Sequence, residues 1–288
     1  MADPFARYIE PETEQAALDI LTRCGLDVQA LPILGAGASF LSKGFIHQAR
    51  NHATRVLDLL KRVDPACERP IVGIEPPEIC AFKHDYLDLV PQRQEEIRQR
   101  VRNVWLLDEY LLRSGEFQGL RIVNKERLFN DGNGFSEKKV LFHPHCHQRA
   151  EGPSADGLPN GVNATVELLR SCGYEVELMD TGCCGMAGTF GYESEHYELS
   201  MKVGELKLFP KIRTPSQPPP NSQTTIDFFS KESRANLGEV PVRAVGVVAS
   251  SGAACRMQIG QGTGVEAIHP IVLTANVLKE AENDGKRS

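Results

Sequence analysis

Apolar positions fall at two spacings along the chain, 3.6 residues and short continuous runs. In residues 12–24, Ala17, Ile20, Leu21 and Cys24 recur at helical spacing, with Pro11 suited to a first turn and Gly25 to a stop, so a helix is predicted there. An apolar run at 28–31 predicts a strand, and Gly35-Ala-Gly-Ala-Ser39 a turn. Ile46, Ala49, Ala53, Val56, Leu57 and Leu60 share one face of a helix predicted over 44–63. A buried strand follows at 71–74 and stops at Glu75-Pro-Pro-Glu78. Residues 92–113, charged and then apolar around Trp105 to Leu112, read as a surface or bridging helix.

The order restarts near Val140. Strands are predicted at 140–142, 176–179 and 242–249, and helices at 163–172, 194–209 and 270–282. Strands that alternate with helices imply an α/β fold, a parallel sheet with helices on its faces. Residues 210–240 break the pattern: Pro215, Pro218, Pro219 and Pro220 among polar neighbours cannot build a core, which predicts a mobile surface loop.

The two halves read as copies. ALDILTRCG at 17–25 matches TVELLRSCG at 165–173, LGAGASF at 34–40 matches CGMAGTF at 184–190, and VGIEPPEIC at 72–80 matches VVASSGAAC at 247–255. Leu34 thus stands opposite Cys184 and Cys80 opposite Cys255. The expectation is two tandem units, 1–128 and 129–288, the first having lost most of the residues that could bind metal.

With 41% apolar residues, 288 positions can bury real cores. The formal net charge of −6 argues against a general nucleic-acid binder. No run of 18 apolar residues predicts a membrane span, and residues 1–8 lack the pattern of a secretory signal, so a cytoplasmic protein is expected, any membrane contact being peripheral and through a partner. In a reducing compartment, eight cysteines suggest metal or redox chemistry rather than a disulfide scaffold. Cys24, Cys67 and Cys172 stand alone and read as packing or surface thiols, and Cys80 as a relic.

Cys146, Cys183, Cys184 and Cys255 differ from these. All follow a predicted strand end, and in a parallel sheet those ends share one edge, where ligands bind. Thiolates there suit an iron–sulfur cluster or zinc. Gly182, Gly185 and Gly188 would shape the turn that aims the vicinal pair, and backbone N–H groups there can face the sulfurs. His143, His145 and His147 line the first of the three turns. Arg256, beside Cys255, either balances thiolate charge or makes an ordinary surface salt bridge. His269 reads as a helix-start packing residue, and Glu75 and Glu78 as structural. Gly35-x-Gly37 completes no GxGxxG and does not predict dinucleotide binding.

Cys146-x36-Cys183-Cys184-Gly185, followed by Gly252-Ala-Ala-Cys255-Arg256, resembles the cysteine-rich CCG domain found in heterodisulfide reductases, the anaerobic glycerol-3-phosphate dehydrogenase iron–sulfur subunit and glycolate and lactate oxidation proteins. HPHCHQRA, CCGMAGTFGYESEHYELSMKVGELKLFP and CRMQIGQGTGVEAIHP look like the C-terminal part of large FAD-linked D-2-hydroxy-acid oxidases, in which two CCG domains follow a flavin domain and a ferredoxin-like segment. FARYIEPE, LSKGFIHQAR and IEPPEICAFKHDYLDL fit the degenerate first copy.

The resemblance implies that Cys146, Cys183, Cys184 and Cys255 ligate one cluster; His145, His147, Gly185 and Arg256 beside them are candidates for outer contacts, the histidines alternatively for a metal ligand, a proton carrier or plain hydrogen-bonded residues at a strand end. A full motif ends in Cys-x-x-Cys, whereas Gly252 stands where the first of that pair would be. Four cysteines then fit a cubane 4Fe–4S cluster better than a five-cysteine noncubane one. The chain shows neither a flavin domain nor a Cys-x-x-Cys-x-x-Cys run, and it opens where the family's first strand has just ended. It is therefore expected to be a fragment, split gene product or subunit, not catalytic alone, that passes electrons from FAD on a missing domain or partner to an acceptor. The alternatives are a heterodisulfide-reductase-like thiol/disulfide subunit and a zinc-bound or metal-free interaction module.

Overall fold

A computed structural model describes residues 1–120, 138–213 and 246–285. The first half opens with α1 (Pro4–Tyr8), α2 (Pro11–Arg23), α3 (Ala38–Ser42) and α4 (Ile46–Val63). There follow β1 (Ile71–Gly73), α5 (Pro76–Cys80), a π-helical turn (Ala81–Asp85), α6 (Tyr86–Leu89), α7 (Gln94–Val101), β2 (Val104–Leu106), α8 (Leu107–Ser114) and α9 (Glu116–Gly119). The second half holds β3 (Lys139–His143), α10 (Cys146–Ala150), α11 (Gly161–Ser171), β4 (Glu175–Leu178), α12 (Ser194–Ile212), β5 (Val247–Ser250), α13 (Ala253–Thr263) and α14 (Pro270–Gly285).

The architecture is α/β with small parallel sheets. β1 pairs with β2, Ile71 opposite Val104. The second sheet has the order β4-β3-β5, with Val140 opposite both Val176 and Val247. β3 is central, and Val140 to His143 are all buried, as expected for a strand covered on both faces. Because all three strands run the same way, their carboxyl ends lie together.

Two expected elements differ. Residues 28–31 form no strand among the described residues: Val28 is exposed, and an apolar run without a neighbour to satisfy its backbone stays irregular. Residues 92–113 are not one helix. Val104 to Leu106 pair with β1, and the strand separates α7 from α8. The strand predicted at 242–249 is seen at Val247–Ser250, residues 242–245 lying outside the described residues, as does 214–240 of the proline-rich segment.

The largest core draws on both halves. Ile20 and Leu21 of α2 and Leu107 and Leu111 of α8 pack with Phe142 of β3, Leu168 of α11 and Leu273 of α14. A second core, including Leu57, Phe82 and Ile97, belongs to the first half alone. The third, including Cys184, Phe209, Cys255 and Ile259, lies under the second-half cysteines.

Candidate metal centre

Three turns leave the carboxyl edge of the second sheet. After β3, Pro144 and His145 lead to Cys146, the first residue of α10. After β4, residues 179–193 carry Cys183 and Cys184. After β5, Ser251 and Gly252 lead to α13, whose first turn bears Cys255. The fold brings all four predicted cysteines to one edge, Cys184 and Cys255 buried, Cys146 and Cys183 exposed.

The Cys255 thiol donates to the Cys184 sulfur at 3.4 Å. Gly185 N–H donates to the Cys183 sulfur at 3.3 Å, so a backbone dipole faces this sulfur. Gly185 adopts φ +101°, and a Cβ there would lie 2.1 Å from the Ser200 carbonyl oxygen of α12. Gly188 (φ +67°) and Ala187 (φ +44°) are left-handed too. Gly182 is not, and a Cβ there would meet nothing within 4 Å, so it does not shape the turn as expected.

The surroundings of Cys146, Cys183 and Cys184 favour the neutral thiol. The bond with Cys184, then desolvation, raises the pKa of Cys183. In Cys184 the bond from Cys183 acts downward, but the bond with Cys255 and burial outweigh it. Desolvation, then Cys183, raises Cys146. Burial also keeps the nearby histidines uncharged. His143, whose Nδ1 lies 2.8 Å from the Thr181 hydroxyl, has its pKa pushed down to about 4, and His145 to about 3. His147 is lowered by burial as well.

Arg256 is buried rather than superficial: its guanidinium binds Glu10 and donates to the Ser250 carbonyl at 2.8 Å. Its charge is thus committed to the first half. His269 caps α14, its Nδ1 accepting from Ile271 N–H at 3.0 Å. Glu75 of the first half accepts from Ala253 N–H at 3.1 Å through both oxygens, bracing the turn that carries Cys255, and burial raises its pKa to about 8. Sequence reasoning did not find Glu10 or Glu75 as neighbours of the centre. Both reach it from more than 170 positions away, which no local pattern reveals.

Among the described residues no group of three or more His, Cys, Asp and Glu side chains converges as ligands of a single ion. A multi-iron cluster is larger than one ion, so its ligands stand around a volume rather than a point. Two observations favour such a group here. The donor set is four soft thiols with neutral imidazoles. The hydroxyls of Ser250 and Ser251, at the same edge, are buried without hydrogen-bond partners among the described residues.

Residues 140–210 match the family model described as a cysteine-rich CCG domain. The D-2-hydroxyglutarate dehydrogenase of Pantoea ananatis (strain AJ13355) is 25% identical over 211 residues, 73% of this chain and 18% of that protein. The enzyme of the same name from Escherichia coli (strain K12) is 25% identical over 204 residues, 71% of this chain and 18% of its own. A subunit of the anaerobic glycerol-3-phosphate dehydrogenase of Escherichia coli (strain K12) is 24% identical over 276 residues, 95% of this chain and 57% of that subunit. The chain therefore spans under a fifth of the first two relatives and somewhat over half of the third. No solved structure matches it. Residues 140–210 are thus similar to a cysteine-rich CCG domain, within a sequence similar to a stretch of these two kinds of dehydrogenase.

Proposed function

We propose that this chain is the iron–sulfur, electron-transferring part of a flavin-linked oxidoreductase acting on a D-2-hydroxy acid. In this reading Cys146, Cys183, Cys184 and Cys255 hold one 4Fe–4S cluster, while FAD belongs to another domain or a partner subunit. The observation that carries the reading is the delivery of four thiols from three turns to one sheet edge. Relatives named for D-2-hydroxyglutarate and glycerol-3-phosphate oxidation support an oxidoreductase module.

A bound cluster supplies one-electron redox chemistry. The chain's own part is to give up the thiol protons, which burial and mutual contact now hold, to present the Gly185 N–H to sulfur, and to exclude water from Cys184 and Cys255. Cys184 and Cys255, now in contact at 3.4 Å, would have to separate to hold such a cluster. No general acid or base is required of this chain. Electrons would pass from the flavin of a partner to an acceptor. No helix among the described residues is long and apolar enough to cross a membrane, so any contact with one is proposed to run through that partner.

The turn geometry supports a tandem arrangement, a degenerate CCG unit at 1–128 and a cluster-binding unit at 129–288. Gly35 and Gly37 are left-handed like Gly185 and Ala187, their counterparts in the repeat, and α5 leaves β1 as α13 leaves β5.

The test is anaerobic purification of wild type and Cys184→Ser, with visible spectra and iron and sulfide analysis. The expected result is a brown wild type with about four irons per chain, bleached by dithionite, and a variant that has lost both iron and colour. A colourless wild type overturns the reading. The 3.4 Å thiol contact favours a further reading, cluster-free dithiol/disulfide chemistry between Cys184 and Cys255. That alternative predicts a colourless protein that loses two free thiols on mild oxidation.

A further inference from the structure

α13 has no cap of its own. Its N-cap is Gly252, which has no side chain to accept from the first N–H groups of the helix. The hydroxyls of Ser250 and Ser251, next in sequence, are buried but bond to nothing among the described residues. The acceptor comes from the first half. Glu75, between β1 and α5, places both carboxyl oxygens 3.1 Å from the Ala253 nitrogen, and Glu75 is itself buried. In the repeat Glu75 stands opposite Ser250, so the first half reaches across with a carboxyl where the second half has an unbonded hydroxyl.

The same turn is held again on its far side. Arg256 is buried, and its Nε donates to Glu10 of the first half at 3.0 Å. Cys255 stands between these two anchors, two residues after Ala253 and one before Arg256. It is only 3% exposed, and its sulfur lies 3.4 Å from that of Cys184. A side chain in the first turn of a helix moves with that turn, and a first turn without acceptors frays before the rest of the fold opens.

We propose that Glu75 is a positioning residue for Cys255: by capping α13 from outside, with Glu10 holding Arg256, the first half aims a thiol of the second. What that thiol ligates rests on the cluster reading above. The aiming does not, because it is built into the metal-free chain. Without Glu75 the first turn of α13 opens locally and Cys255 leaves Cys184 for water. One corner of the four-thiol set is then lost while the cores beneath stay closed.

The test follows the thiols one by one. Iron-free wild type, Glu75→Ala, Glu75→Gln, Glu75→Asp and Glu78→Ala are treated with iodoacetamide under native conditions, and alkylation of each cysteine is timed by peptide mass spectrometry. Cys172, fully buried in a different core, is the internal reference. Opening of the whole molecule exposes Cys172 and Cys255 together and leaves the ratio of their rates unchanged. Glu75→Ala should raise the Cys255 to Cys172 ratio about fivefold, the factor that loss of a helix cap corresponds to. Glu75→Gln, which keeps an oxygen for Ala253, should stay near wild type. Glu75→Asp, one methylene shorter, should move toward Glu75→Ala and stands in for it should the alanine variant not fold. Glu78→Ala removes a buried carboxyl of the same half whose partners are Ala36, Gly37 and Ala38, so it should leave the ratio alone. In a second arm the same proteins are loaded anaerobically with iron and sulfide, and Glu75→Ala should hold less iron than Glu75→Gln.

An unchanged ratio in Glu75→Ala and Glu75→Asp, or an equal rise in Glu78→Ala, overturns this inference and leaves the cluster reading standing. A wild type that takes up no iron overturns the cluster reading, and the thiol ratios then decide the positioning by themselves.

Discussion

Asp108 shows what one buried carboxyl does in this fold. It lies in the first turn of α8, accepts from the Glu109 N–H at 2.9 Å and from the Thr165 hydroxyl, and Thr165 in turn accepts from Gln148 at 3.0 Å. A chain of hydrogen bonds therefore runs from the cysteine-bearing α10 to the first half. Burial, then the neighbouring Glu109, raises the Asp108 pKa from 3.8 to about 7. Between those values the folded chain binds a proton that the unfolded chain has released, so stability falls as pH rises through this window and the loss saturates above about pH 7. Asp108→Asn removes the titration and keeps an acceptor for Thr165. Urea midpoints at pH 5 and pH 8 should show wild type losing stability on the alkaline side relative to the variant, by about 1–3 kcal/mol. A difference between the two proteins that does not change with pH would show that Asp108 is ionised throughout.

At the scale of elements, the two glycine turns are the informative pair. In the second half residues 182–188 carry thiols. In the first, the corresponding turn holds the Glu78 carboxylate, which accepts from Ala36, Gly37 and Ala38 N–H at 2.5, 2.9 and 3.3 Å. A Cβ at Gly35 would lie 2.8 Å from the same carboxyl, so the turn is wrapped around it. Backbone N–H groups collected in a left-handed turn form a concavity for an anion. Glu78→Ala leaves those N–H groups without their acceptor. It should cost about 1–3 kcal/mol, read as a lower urea midpoint, and Glu78→Gln should cost less because one oxygen remains. Equal stability of Glu78→Ala and wild type would show that water replaces the carboxylate at no cost. This pairing was only half legible in the sequence. The repeat placed Gly35 opposite Gly185, because turns need particular residues at particular spacings. It could not show that Glu78, one turn beyond a strand end, reaches back 42 positions. The short elements failed for a related reason. Val104 to Leu106 make a strand because β1 lies beside them, whereas residues 28–31, with a similar apolar run, pair with nothing among the described residues. The placement of the four cysteines at one edge was legible because each follows a strand end, and parallel pairing does the rest.

At the scale of the whole molecule, several of the contacts that join the two halves bear on the cysteine edge. Arg256 of α13 binds Glu10, between α1 and α2, and Glu75 braces the start of α13. Ser42 of α3 accepts from Thr189 N–H at 2.9 Å in the turn after Cys184, and Lys43 pairs with Glu193. The largest core runs beneath both halves. A chain built in this way should unfold as one unit, although its sequence reads as two. The single tryptophan, Trp105, lies in β2 with the Arg113 guanidinium 4.4 Å from the ring centroid, so its fluorescence reports on the first half. Circular dichroism reports on helices from both. Glu10→Ala removes the partner of a buried arginine, a change that costs about 3 kcal/mol where the charge stays enclosed. In wild type the two signals should give one shared transition, and in Glu10→Ala both should move together to lower urea. If the fluorescence transition stays fixed while the circular dichroism splits, the second half has been released from the first, and the joint at Arg256 is a hinge between independent units rather than part of one fold. Coincident movement would mean that the thiol edge is held in place by residues of both halves. Damage far from any cysteine, at Glu10 or Glu75, would then reach the site through the common stability of the molecule.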